Sequence, residues 1–183
     1  YLGKNFHFVI YPVNKNKEFN FISTIRKNLN NREVSDGSLF NDDIFLKSLT
    51  NEIYSRTSVQ LEGKIENIKS FPIFVSRGLN IPNRKNTYLV GDALYAYPPS
   101  FAQGASQSIE ASTEVFDEIK NNGSGYYNKR RKKIKLVNWR SKLNHFAFHL
   151  SNPIIVFFRN LILKILVKNN KFLEIYLGNI YRN

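Results

Sequence analysis

A chain of 183 residues with 42% hydrophobic content is long enough to bury a core, which excludes a disordered tail. The formal net charge of +13 invites an anionic partner, but no nucleic-acid-binding signature accompanies it, and Lys, Asn and Ile abundant together are what biased codon usage produces. Without cysteine there is no disulfide framework, thiolate metal site or thiol nucleophile. Methionine is also absent, which is expected if Tyr1 lies inside a longer polypeptide. The sequence shows neither a signal-peptide pattern nor an apolar run long enough to span a bilayer, so a cytoplasmic location is expected.

In chain order, FHFVIYPV (6–13) and EFNFISTI (18–25) are aromatic and β-branched runs about a polar turn at 14–17, and predict an antiparallel hairpin. Residues 42–54 place Ile44, Phe45, Leu49 and Ile53 at helical intervals, with Asn41 or Asp42 as cap. Residues 65–75 read as extended, interrupted by Pro72. Residues 88–90 form a short apolar run ended by Gly91 and read as a buried strand, with Asp92 at its mouth. Pro98 and Pro99 stiffen the next loop, and Gly104 leaves room for close approach where a helix starts. In that helix Ala105, Ile109, Ser112, Phe116 and Ile119 predict one buried face.

The NNGSG stretch (121–125) is a break. A basic helix from about 126 to 150 follows, and its run NKRRKKIK (128–135) reads as a solvated face. A second helix, 153–168, has Pro153 in its first turn. Asn160, Lys164 and Lys168 line one of its sides and Ile154, Phe158, Leu161 and Ile165 another. Packing against the domain or a partner subunit is the first reading of that apolar side, and contact with a membrane surface the second.

The stretch YLVGDALYAYPPSFAQGASQSIEAS (88–112) resembles the second flavin-binding signature of the FAD-dependent aromatic hydroxylases, the class A flavoprotein monooxygenases, in which it reads GDAAHxxPPxxGQGxNxxxxDA. FHFVIYPV with FNFIS is similar to the sheet that lines the substrate chamber in the salicylate-hydroxylase-like branch, and YYNKRRKKIKLVNWRSKLN to the family's C-terminal helix. The resemblance covers nearly the whole chain, and the loop is its specific part. It implies an α/β two-domain fold for binding FAD and NAD(P)H, seen as α+β in this portion. Residues 1–80 would belong to the substrate-binding sheet domain, 81–125 to the FAD-binding domain and 126–183 to C-terminal helices.

By the same resemblance, Asp92 of the Gly91-Asp92 pair meets a ribityl hydroxyl of FAD, Pro99 lies beside the isoalloxazine, and Gly104, Ala105 and Ser106 present backbone N–H groups to its pyrimidine edge. Phe8, Tyr11 and Pro98 would line the substrate chamber. The implied reaction is hydroxylation of an aromatic or similarly planar small molecule by O2, with NAD(P)H as reductant. The cofactor carries the chemistry, so no catalytic side chain or metal site is assigned. Tyr95 stands where the family usually has His, Leu94 replaces a small Ala, and Ala111-Ser112 replaces Asp-Ala. No glycines are spaced as GxGxxG, the turn that seats the pyrophosphate, so the chain is expected to be the C-terminal part of such an enzyme, inactive without its N-terminal half.

Plainer readings stand beside these. Asp92 could be a turn cap, Tyr95 and Tyr97 packing aromatics, and Phe6, Phe8, Tyr11, Phe19 and Phe21 simply core. His7, His145 and His149 are scattered and read as surface or packing residues, and Ser100 has no evident base. A reductase or halogenase of the same fold is the nearest alternative activity. A non-catalytic basic module binding a membrane surface or macromolecule is the alternative of another class.

Overall fold

The computed structural model describes residues 1–16, 18–57, 67–83, 86–178 and 180. The chain is mixed helix and strand, mostly helical with one small antiparallel sheet, compatible with the α+β expectation. It divides into two units, Tyr1–Ile73 with Phe148–Val156, and Phe74–Ala147 with Phe157–Asn183.

In the first unit the predicted hairpin forms: β2 (Phe6–Val13) pairs antiparallel with β3 (Glu18–Ile25), in register from Phe6 opposite Ile25 to Val13 opposite Glu18. Asn14 and Lys15 take left-handed conformations (φ 49° and 56°) to reverse the chain, a geometry that Asn tolerates well. A short strand that periodicity does not announce, β1 (Leu2–Gly3), adds to β2. Alternate residues of β2 face one side, so Phe6 and Phe8 together enter a buried cluster with Ile53, flanked by Phe21 and Ile25.

Asn30 and Glu33 exchange side-chain and backbone bonds at the start of α1 (Asn31–Ser35). Asp42 caps α2 (Asp43–Arg56) through a 2.7 Å bond from the Phe45 N–H. The predicted α2 face is corrected in part: Ile53 is buried, but Leu46 joins it and Ile44 points to solvent. The extended reading of 65–75 falls partly on residues outside those described, and 67–75 enters no strand.

The second unit is built on α5 (Tyr126–Phe148), which lies against α4 (Gly104–Lys120). Between them the Arg130 guanidinium, 2% exposed, donates to Oε1 of Gln107 at 2.9 Å and to its carbonyl at 3.3 Å. It also pairs with Glu110 and Glu114 at 3.4 Å each. Lys133 reaches Glu110 at 2.8 Å and Lys129 reaches Glu114 at 3.6 Å. The basic run is therefore not simply a solvated face, because α4 supplies the carboxylates that three of its cations meet.

The predicted buried face of α4 is overturned as well. Ile109, Phe116 and Ile119 are exposed, and the inward face is Gln107 and Ala111, because α5 brings a charged Arg130 that needs polar partners. Residues 88–90 are extended and half-buried but pair with no strand among the described residues. Tyrosine hydroxyls take the ladder's place: Tyr126 donates to the Leu89 carbonyl (2.8 Å), and Tyr127 donates to the Thr87 carbonyl (3.0 Å) and accepts from the Leu89 N–H (3.2 Å).

Beyond α5 come α6 (Pro153–Leu166), with Pro153 as its first residue, and the unforeseen α7 (Asn170–Leu173), continued by a π-turn at Glu174–Gly178. The helix ends at 148 and 166 fall two residues short of the expected ones, within ordinary end fraying. Arg140 fastens the tail to α5 by donating to the carbonyls of Tyr176 and Ile175 and lying 5.0 Å from the Tyr176 ring.

Two outcomes follow for the second unit. Arg130→Ala leaves two carboxylates facing a vacated site and is expected to cost about 3 to 5 kcal/mol in chemical denaturation. Arg130→Met combined with Glu110→Gln and Glu114→Gln should recover part of that loss, and equal losses would show that pairing is not the cause. Burial pushes Tyr126 up to about 12 from its ordinary 10.0. The folded state thus holds the phenolic proton more tightly, so its stability contribution is complete below pH 10 and lost as pH rises toward about 12. Tyr126→Phe should flatten that alkaline decline in unfolding midpoints.

Candidate functional site

The loop starts where residues 87–90, held by the two tyrosines, reach Gly91. Its φ of +58° favours glycine, and a Cβ there would stand 2.7 Å from Ser108 Oγ. Gly91 opens the single-turn α3 (Gly91–Leu94), which packs on α4. Asp92 is in the first turn of α3 and is exposed, whereas Leu94 is buried against Tyr95, Ala111, Tyr126 and Ile134. Tyr95, where the resembled family has His, is 5% exposed with its ring 5.1 Å from that of Tyr97. Burial raises the pKa of both phenols, so they stay neutral and pack rather than titrate. Of the departures from the family pattern, Leu94, Tyr95 and Ala111 are thus core residues, and Ser112 is exposed.

Residues 76–80 brace the loop from one side. The Ser76 N–H donates to the Ala96 carbonyl and the Asn80 N–H to the Leu94 carbonyl, at 2.9 and 3.1 Å. On the other side α5 holds the turn at Pro99–Phe101. Asn144 Nδ2 donates to the Ser100 carbonyl at 3.3 Å, and the Ser100 hydroxyl lies 3.2 Å from His145 Nδ1. Ser100 therefore does have an imidazole neighbour, which sequence spacing could not show because 45 residues separate the two. Two of the three histidines are not scattered either. His7, on the strand face opposite Phe8, meets His149 at 3.2 Å (Nδ1 to Nε2) and the Phe148 ring, with both imidazoles buried.

Ala102 adopts a left-handed conformation (φ 51°), a local strain that turns the chain into α4. Gln103 is buried and its side chain accepts from the Ser106 hydroxyl at 3.1 Å. Gly104, Ala105 and Ser106 form the first turn of α4, whose N–H groups have no intrahelical acceptor. Ala105 is exposed, and a Cβ on Gly104 would meet nothing within 4 Å. Pro98 is half-buried and Pro99 exposed at the start of the turn.

The structure brings together Gly91, Leu94, Tyr95, Gln107 and Arg130, around a cavity of about 10 Å3, room for no more than a single water. The larger cleft, about 270 Å3, is lined by Glu114, Asp117, Glu118 and Lys129 at the other end of α4 and by none of the candidate residues. Phe8 and Tyr11 fall on opposite faces of β2: Phe8 is in the core, and Tyr11 is 40% exposed with its hydroxyl beside Asn20. No group of acidic or histidine side chains among the described residues is placed to hold a metal.

Gly91→Ala is expected to destabilise the chain by at least about 1 to 2 kcal/mol from its backbone conformation alone, with the clash against Ser108 in addition. In a thermal-unfolding cycle with Ser108→Ala, a non-zero coupling would isolate that clash, and additivity would deny it. No protein-family model, no curated protein and no solved structure matches this chain, so what the loop can do is argued from its residues.

Proposed function

We propose that this chain supplies the flavin-facing loop of an FAD-dependent monooxygenase, which uses NAD(P)H and O2 to hydroxylate an aromatic or similarly planar small molecule. The supporting observation is that one stiff Pro-Pro loop carries an exposed carboxylate, Asp92, near one end and the open first turn of α4 at the other. The donor set suits FAD. An ionised Asp92 accepts from ribityl hydroxyls, and the N–H groups of Gly104, Ala105 and Ser106 favour the negative charge that a reduced isoalloxazine carries along its pyrimidine edge. The open space at Gly104 lets a planar ring approach the backbone closely.

Flavin, when bound, supplies the electron transfer and the oxygen activation. The chain's own residues orient and exclude. Gly91 aims Asp92 outward, Pro98 and Pro99 limit the motion of the loop, and the bonds from Asn144 and His145 to Ser100 hold the turn in place. The helix N-terminus stabilises negative charge through fixed dipoles without a titrating side chain. The pyrophosphate needs a GxGxxG turn that this sequence does not contain, so the complete polypeptide must provide one.

In a complete polypeptide with such a turn, Asp92→Ala should weaken FAD by about 1.5 to 3 kcal/mol, measured by flavin fluorescence titration. Unchanged affinity would remove the ribityl role. Isotopically labelled O2 separates the activities: label in the product supports hydroxylation, whereas full turnover without oxygen supports the reductase.

A further inference from the structure

The apolar side of α6 is its exposed side. Ile154, Ile155, Phe157, Phe158, Leu161, Ile162 and Ile165 are between 46% and 69% exposed. With each residue turning the helix by about 100°, these seven form one continuous arc of roughly 160°. The side facing the protein is Val156, Arg159, Leu163 and Leu166, where the buried Arg159 donates from Nη1 to the Ala147 carbonyl at 3.0 Å, closing the end of α5. The helix is thus anchored through its one buried cation and turns its apolar arc outward. The first expectation from sequence is packing of that arc against the domain or a partner subunit; its domain half is not what the structure has, since the arc is exposed.

Charge decides what could cover it. Lys164 borders the arc next to Phe157, Lys168 and Lys171 follow in the next turns, and all three are exposed. No Asp or Glu stands between Glu118 and Glu174, an interval with thirteen Lys and Arg. A second copy, also at +13, would bring like charges together around the contact. A nucleic acid would satisfy the lysines and leave the seven apolar side chains in water. An acidic lipid surface meets both demands, with acyl chains for the arc and phosphate-level charge for the lysines that flank it. No helix among the described residues is long and apolar enough to cross a membrane, so the contact lies in the plane of the surface.

We propose that α6 docks the chain in the interface of an anionic lipid bilayer, its exposed arc among the upper acyl segments and Lys164, Lys168 and Lys171 at headgroup level. This is independent of the flavin reading and its test needs no activity. The 183-residue chain is sedimented with vesicles of phosphatidylcholine alone and of an equimolar mixture with phosphatidylserine. Binding is expected to the mixture, at least tenfold weaker to phosphatidylcholine alone and weakened by salt. Lys164→Glu, Lys168→Glu and Lys171→Glu together should lower it by at least about 100-fold, taking about fivefold for each lysine lost before any repulsion from the new carboxylates. Phe157→Ser with Phe158→Ser should lower it about tenfold or more with an unchanged circular dichroism spectrum, since both side chains are exposed. A Phe158→Trp variant should shift its emission to the blue on vesicles. Absence of binding, binding indifferent to Phe157→Ser with Phe158→Ser, or a dimer that Phe158→Ser dissociates while vesicles do not compete would each overturn the proposal.

Discussion

The second unit depends on one buried cation. A guanidinium keeps its proton at any pH a protein meets, so Arg130 cannot escape burial by becoming neutral and must be matched where it lies. Gln107, Glu110 and Glu114 do this from a single helix, at the spacing that puts them on one face of α4. That requirement sets the register of α4 against α5, because a shift of one residue would turn the carboxylates away. The loop inherits the register: Gly91 comes against Ser108, Leu94 against Ala111, and Asp92 is left outside. A carboxylate facing solvent can accept hydrogen bonds from something else.

The same logic recurs further along α5. Arg140 is also buried, and its partners are backbone carbonyls of the π-turn rather than carboxylates, so it ties down chain instead of cancelling charge. Burial lowers its pKa, and the electrostatic influence of Tyr176 opposes that shift. Beyond Arg140, α5 offers the loop Asn144 and His145, and its first residues offer Tyr126 and Tyr127 to the backbone at 87–89. One long helix therefore positions both ends of the candidate site. The phenols that bond the backbone at 87 and 89 show what an extended segment requires when, among the described residues, no neighbouring strand completes its hydrogen bonds.

Apolar periodicity was informative about shape and misleading about direction. It located the hairpin, α2, α4 and α6 to within a few residues, because spacing along a chain reflects the geometry of the local backbone, while α5 was placed by its basic composition after the NNGSG break. It also identified the apolar side of α4 and of α6 correctly. Both sides face solvent, since periodicity marks which residues lie together and not what they lie against. The short strand β1 and the single turns α1 and α3 were not legible, being too brief to show a period.

The candidate loop divides the same way. Its punctuation, Gly-Asp, Pro-Pro and Gln-Gly, could be read directly, because each residue type restricts its own backbone: the positive φ at Gly91, the rigid turn at Pro99, the helix start at Gly104. What holds the loop could not. Ser100 meeting His145 and Arg130 entering between Gln107 and Glu114 join residues 45 and 23 positions apart. No local pattern encodes such a meeting; only the packing of whole helices and strands decides it, through the need to pair each buried charge and polar group. The sequence by itself determined where the chain turns and which faces are apolar. The tertiary structure decided which of those faces is inside, because a buried guanidinium on α5 required the polar face of α4 rather than its apolar one.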